Sequence, residues 1–118
     1  MTQATFYKWA DLPEVDFTPQ IKRRLITGEK VMLLNLTLAK GGVVGEHQHP
    51  HEQISYVLSG ALEFTVNGEK SVVSSGEGVV LPSNVPHAVV ALEDSHVLDV
   101  FSPPREDFLT DEPPAYMR

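Results

Sequence analysis

Apolar and polar residues alternate in short bursts along most of this chain. In Val31-Met32-Leu33-Leu34-Asn35-Leu36-Thr37-Leu38-Ala39, the even positions Leu34, Leu36 and Leu38 are set against Asn35 and Thr37. That is the period of two expected of a strand with one buried face. Gln20 to Ile26 predicts the strand before it, closed by Thr27-Gly28-Glu29. Ala61 to Val66 runs into Asn67-Gly68, the dipeptide suited to a tight hairpin whose two central residues both take positive φ, and Glu69 to Val73 returns. Ile54 to Ser59, Val79 to Leu81, His87 to Leu92 and His96 to Phe101 predict further short strands, with Gly-rich or Pro-rich turns between most of them. Pro103-Pro104 stops the last of these, and only Arg105 to Thr110 suits a helical turn. Many short strands at close intervals with almost no helical period predict an all-β fold, a small barrel or two-sheet jelly roll. Residues 1–20 read as an irregular arm with one short strand, its aromatics packing on the body. Residues 21–110 read as the barrel and its closing segment, and 111–118 as a tail that is loosely ordered unless something docks it.

Length and charge narrow the function. A chain of 118 residues, 42% hydrophobic, suits one domain with one core. Its net charge of -7 argues against nucleic acid and against acidic membrane surfaces as partners. An anionic ligand would need a local positive charge. The chain has no cysteine, which removes disulfides, zinc-thiolate sites and thiol nucleophiles. No basic segment followed by an apolar one opens the sequence and no run reaches membrane-spanning length, so a cytoplasmic location is the expectation.

The chemistry concentrates in Gly41-Gly42-Val43-Val44-Gly45-Glu46-His47-Gln48-His49-Pro50-His51-Glu52-Gln53. On an extended strand His47 and His49 face the same way, at the spacing two imidazoles need to share a metal ion. The pair alone is equally consistent with a solvated surface. A third imidazole, His87, follows the turn Pro82-Ser83-Asn84-Val85-Pro86 and favours the metal. His51 has the parity of His47 and His49, but Pro50 breaks the strand before it, and it reads as a surface histidine, as does His96. Asp99 shares a strand face with Val97 and Phe101, so its carboxylate needs a partner or a task, and Arg105, after the Pro103-Pro104 turn, is a candidate partner.

Gly41, then His47, His49, Gln53 and Gly60 at the intervals present here, resembles the first motif of the cupin superfamily. Gly76, Pro82, Asn84 and His87 resemble the second, with Asn84 in place of the usual glycine and Ala91 in place of the usual terminal asparagine. His49-Pro50-His51-Glu52-Gln53, Tyr56 to Gly60, Val85-Pro86-His87, Leu98 to Pro103 and Arg105 to Leu109 further resemble the KdgF-type cupins of pectin degradation. That resemblance implies conversion of 4,5-unsaturated uronates, released by pectate or alginate lyases, into linear 5-keto sugars by an isomerase-type reaction without redox change. It implies His47, His49, Gln53 and His87 as ligands of one divalent metal ion, and Asp99, Phe101 and Arg105 as active-site residues.

Three imidazoles and an amide oxygen are neutral donors, which leave a divalent ion its full charge and suit isomerisation of an anionic sugar better than oxygen redox chemistry. The same donors accept zinc, nickel, manganese or iron. Asp99 is then expected to move a proton, Arg105 to clamp the substrate carboxylate against a structural pairing with Asp99 as its rival, and Phe101 to form a wall. A metal-dependent dioxygenase and a non-catalytic sugar-binding cupin are the competing functions, and a homodimer formed through edge strands is the expected assembly.

Overall fold

Alternation along the strands decides which side of each sheet turns inward. A computed structural model describes residues 3–110 and 112–117. Among these, the strands are β1 (Val15–Thr18), β2 (Ile21–Thr27), β3 (Met32–Leu38), β4 (Val43–His47), β5 (Glu52–Ser59), β6 (Ala61–Val66), β7 (Glu69–Ser74), β8 (Gly78–Leu81), β9 (His87–Ala91) and β10 (Ser95–Ser102). They form two antiparallel sheets, one in the order β1-β2-β3-β10-β5-β8 and the other in the order β4-β9-β6-β7. This is the all-β, two-sheet barrel that the short alternating strands predict.

The even face of β3 supplies Met32, Leu34, Leu36 and Leu38 to the core, as its period requires. Val57 of β5 and Val97 and Phe101 of β10 join them, and Leu62, Phe64, Val89 and Ala91 of the smaller sheet close over them. The β6–β7 hairpin turns at Asn67 and Gly68 with φ of 50° and 80°, both in the left-handed region that the dipeptide favours. The outward face of the larger sheet keeps an apolar row: Ile26 lies beside Leu33, Leu33 beside Val100, Val100 beside Ile54, and Ile54 beside Val80.

The two ends behave differently. In the arm Phe17 is buried, but Phe6 is 93% exposed and Tyr7 packs edge-on against Trp9 instead of on the body. Among the described residues before β1 none pairs with a strand, and a short 3-10 turn at Trp9–Asp11 is followed by a bond to the sheet, from Arg24 Nε to the Leu12 carbonyl at 3.2 Å. The C-terminal end, by contrast, is docked. A 3-10 turn at Glu106–Leu109 buries Phe108 against Phe17 and Phe101, and Arg23 Nη2 donates to the carbonyls of Phe108 and Thr110 at 3.0 and 3.2 Å. A second turn at Ala115–Met117 buries Met117 and lies against β4. Asp111 and Arg118 of that segment lie outside the described residues.

Gly60 joins β5 to β6 with φ of +94°, and a Cβ there would lie 2.6 Å from the carbonyl oxygen of Asp94. Both the backbone region and the space exclude a side chain. Gly60→Ala is expected to lower unfolding free energy by about 2–4 kcal/mol, read as a reduced urea midpoint with unchanged slope.

Candidate metal centre

His47 is the last residue of β4 and His87 the first of β9, and the two pair directly across the smaller sheet. The chain then leaves that sheet, and residues 48–51 cross to β5 in the larger one. His49 sits in this crossing, so it is not on one strand face with His47 as strict alternation would place it. The crossing loop is fixed by the turn that leads into β9. Asn84, at φ +63°, donates its backbone N–H to the His49 carbonyl at 2.8 Å, and Ser83 Oγ donates to the Pro50 carbonyl at 2.6 Å. Asn84 thus takes the left-handed conformation that a glycine would provide at that position.

The result is a compact cluster. The His47 ring centre lies 4.2 Å from that of His87 and 5.5 Å from that of His49, with 5.1 Å between His49 and His87. One ring nitrogen from each falls within 4.8 Å of the others. Each Nδ1 lies against a carbonyl oxygen: His47 on Gly45 at 2.8 Å, His49 on His51 at 3.0 Å, His87 on Val85 at 2.8 Å. A carbonyl only accepts, so each Nδ1 carries the proton and each Nε2 presents a bare lone pair. Burial makes a second proton unfavourable and lowers the pKa of His47 and of His49 to about 4, helped by the neighbouring imidazoles and the Arg105 charge. Burial also lowers that of His87.

Gln53, on β5, places Oε1 3.0 Å from His49 Nε2, while its Nε2 donates to Ser55 Oγ at 2.9 Å. With His49 protonated on Nδ1, two lone pairs face each other across that gap. His87 Nε2 is buried without a hydrogen-bond partner. Buried acceptors converging with no proton among them fit a bound cation, and His47, His49, His87 and the Gln53 oxygen are the residues that could hold one.

The larger sheet brings the remaining groups by register. Phe101 lies opposite Gln53 and Asp99 opposite Ser55 on paired β10 and β5. Ser55 Oγ donates to Asp99 Oδ1 at 2.6 Å, and Asp99 is pushed up to about 6, chiefly by burial, against the Ser55 hydrogen bond and the Arg105 charge that hold it down. Arg105 is not the hydrogen-bonded partner of Asp99. Its Nε and Nη2 grip Asp107 at 3.0 and 2.7 Å, because a carboxylate two residues along the same turn reaches the guanidinium first. Burial opposes its charge, but the bonds to Asp107 and Tyr116 outweigh that and hold it positive. The guanidinium lies over the rings of Phe108 and Phe101, 4.0 and 5.2 Å from their centres.

These groups surround one cavity of about 60 Å³, bordered by His47, Gln53, His87, Asp99, Arg105 and Tyr116. Three of the participants are absent from the sequence-based set. Ser55 has a signal, since it is a polar residue on the interior face of β5 between Gln53 and Val57. Asp107 and Tyr116 have none, because both lie in irregular chain where no period assigns a face. Tyr116 stacks on His47 with ring centres 3.8 Å apart and planes 1° from parallel. His51 stays outside the cluster and contributes its carbonyl to His49, and His96 bonds Asn35 on the outer face of the larger sheet.

Comparison with known proteins places the fold in a family. Residues 34–101 match the cupin domain family. The pectin degradation protein KdgF of Dickeya dadantii (strain 3937) is 41% identical over 92 residues, which cover 75% of this chain and 84% of that protein. The structure of KdgF from a Halomonas species superposes with a TM-score of 0.85 at 37% identity, over 90% of this chain and 99% of that one. An RmlC-like cupin from Shewanella frigidimarina superposes with a TM-score of 0.84 at 29% identity, over 90% of this chain and 96% of that one.

Asp99 offers a test that needs no substrate. Its pKa is raised on folding, so the carboxyl costs the folded state nothing below the ordinary value of 3.8, becomes a growing burden as pH rises from there, and costs its full amount above about 6. Asp99→Asn is expected to match the wild type in unfolding free energy near pH 4 and to exceed it by about 1–3 kcal/mol at pH 7.5. Chemical denaturation at the two pH values reads the difference.

Proposed function

The chain belongs to the cupin domain family, among the relatives of the pectin degradation protein KdgF, and from that premise we propose that it is an enzyme of uronate metabolism. Its reaction on this reading is the ring opening and ketonisation of 4,5-unsaturated uronates, dependent on a divalent metal ion. The observation that carries the proposal is the pairing, around one cavity, of a proton-free donor cluster with a buried guanidinium and a carboxyl poised near neutrality.

Each residue has a task in that chemistry. His47, His49, His87 and Gln53 would hold the ion, which would supply Lewis acidity undiminished by any charged ligand. Arg105 receives the substrate carboxylate. Its Nη1 is buried with no partner, so a donor is in place for an incoming oxygen. Phe101 packs beneath the guanidinium and edge-on to His49, and fixes the distance between the two. Asp99, with a pKa of about 6, both takes and returns a proton near neutral pH.

In the ring-opening step the bond from C1 to the ring oxygen breaks, the C1 hydroxyl loses its proton, and C1 becomes the aldehyde. The ring oxygen leaves as the enol on C5. A proton then added at C4, with loss of the enol O–H proton, gives the 5-ketone, so atoms balance and no electron acceptor is needed. Ser55 holds Asp99 on the side of Gln53 and, by taking its own hydrogen bond from the Gln53 amide, keeps the amide oxygen turned toward the histidines.

Pairing of two copies belongs to the same proposal, and beside the edge strands the apolar outer row of the larger sheet offers it a face. Ile54→Lys on that row is expected to shift the mass measured by light scattering from dimer to monomer.

Purified protein added to freshly generated unsaturated uronate is expected to accelerate loss of the alkene absorbance over the spontaneous background, without oxygen consumption. Chelation is expected to abolish the acceleration and His87→Ala to prevent its recovery on adding metal. No acceleration with metal present overturns the enzyme reading, and oxygen uptake transfers it to the dioxygenase class. Arg105→Ala, checked for retained folding by thermal melting, is expected to raise KM by about 10- to 100-fold, the loss of one charge-assisted contact.

A further inference from the structure

A guanidinium offers five N–H donors in one plane, arranged as a side-on edge of Nε with Nη2 and an end-on edge of Nη1 with Nη2. Asp107 occupies the side-on edge of Arg105 completely, with Oδ1 on Nε at 3.0 Å and Oδ2 on Nη2 at 2.7 Å. The second hydrogen of Nη2 goes to the Tyr116 hydroxyl at 2.7 Å, and Nη1 is buried with none of its hydrogens accepted. The end-on edge is therefore half filled, by a neutral phenol oxygen, and half empty. A carboxylate that takes this edge with both oxygens has to move the phenol.

The surroundings make that exchange feasible. Tyr116 belongs to a three-residue 3-10 turn that is part of neither sheet, so it can swing away without breaking a sheet hydrogen bond. Its ring covers the face of His47, and its backbone oxygen sits so close to β4 that a Cβ on Gly45 would lie 2.9 Å from it. With the turn in place the cavity measures about 60 Å³. That is room for a few waters and far below the few hundred Å³ of ordinary small-molecule sites. A sugar ring needs more room than that, and Tyr116 is one of the side chains that take it up.

We infer that Tyr116 is a displaceable place-holder on the carboxylate edge of Arg105, and that the C-terminal turn opens only to ligands bearing a carboxylate able to replace it. The inference rests on the uronate reading of the pocket and adds to it a selection step. A neutral sugar of the same size cannot match the phenol's hydrogen bond with a charged one, and leaves the turn closed. A uronate fills both halves of the edge and gains a contact the free protein lacks.

The test uses metal-loaded protein with galacturonate, a stable saturated uronate, and galactose as its neutral counterpart, each titrated by calorimetry. Tyr116→Phe removes the hydroxyl and keeps the ring on His47. Gly45→Ala crowds the turn from beneath and keeps the backbone carbonyl that His47 Nδ1 bonds. Both variants are expected to bind galacturonate about 3- to 10-fold more tightly than wild type, the value of one competing hydrogen bond. Galactose binding and metal affinity are expected to stay unchanged in Tyr116→Phe. In wild-type protein carrying fluorotyrosine, the Tyr116 resonance is expected to move to a solvent-exposed position on saturation with galacturonate. Weaker or equal galacturonate binding by Tyr116→Phe, or a Tyr116 resonance that stays put while galacturonate binds, overturns the place-holder and leaves the uronate reading intact. Absence of any galacturonate binding by the wild type overturns both.

Discussion

Where three protons sit decides what this barrel can do. Gly45, Val85 and His51 each turn a carbonyl oxygen onto the Nδ1 of a histidine, and a carbonyl has no proton to give. Each ring is thereby fixed in one tautomer with its Nε2 lone pair directed away from the bond. Burial then removes the alternative of a doubly protonated ring, since two of the three have pKa values near 4. Unpaired lone pairs in a dry interior are expensive, and the expense is tolerated where a cation relieves it. Two of those carbonyls lie two residues before their histidine and one two residues after. The tautomer is therefore set by local backbone, and it does not depend on the distant parts of the fold.

What the fold adds is convergence. The smaller sheet brings His47 and His87 side by side, the larger brings Gln53, Ser55, Asp99 and Phe101 by strand register, and the crossing loop carries His49 between them. The strands and inward faces of β3 and β6 were legible because apolar and polar residues alternate over residues 34–38 and 62–66, whereas β5 and β10 carry apolar residues on both faces. The proximity of the three histidines was legible from motif spacing, though strand parity was the wrong reason for His49. A loop tied down by Asn84 and Ser83 places it instead. That Arg105 meets Asp107 and not Asp99 was not recoverable from alternation. Parity states which face a residue occupies, and it is silent on which of two carboxylates a long side chain meets beyond a double proline. Tyr116 lay further still from any pattern, at the end of a proline-rich stretch with no period.

Ser55 shows how a minor residue can join two functions. It accepts from the Gln53 amide and donates to Asp99, so one hydroxyl orients a candidate ligand and restrains a candidate acid or base. The direction of the chain matters. With Asp99 ionised, Ser55 must donate toward it, which obliges the Gln53 nitrogen to face Ser55 and the oxygen to face His49. The amide orientation is thus determined by charge two bonds away, through a residue that is almost wholly buried and has nowhere else to turn.

The charges inside the pocket tie the two halves of the functional proposal together. Arg105 alone looks like an anion receptor, but Asp107 already neutralises it through a bidentate grip, and Asp99 is largely ionised above pH 6. Two carboxylates against one guanidinium leave the cavity of an acidic protein unfavourable to a uronate. The histidines and Gln53 add no charge of their own. A divalent ion on them would reverse the sign of the cavity in a single step, because none of its charge would be spent on its ligands. An anionic substrate and a cation held by neutral donors are therefore not independent proposals. In this pocket the first is electrostatically reasonable only when the second holds.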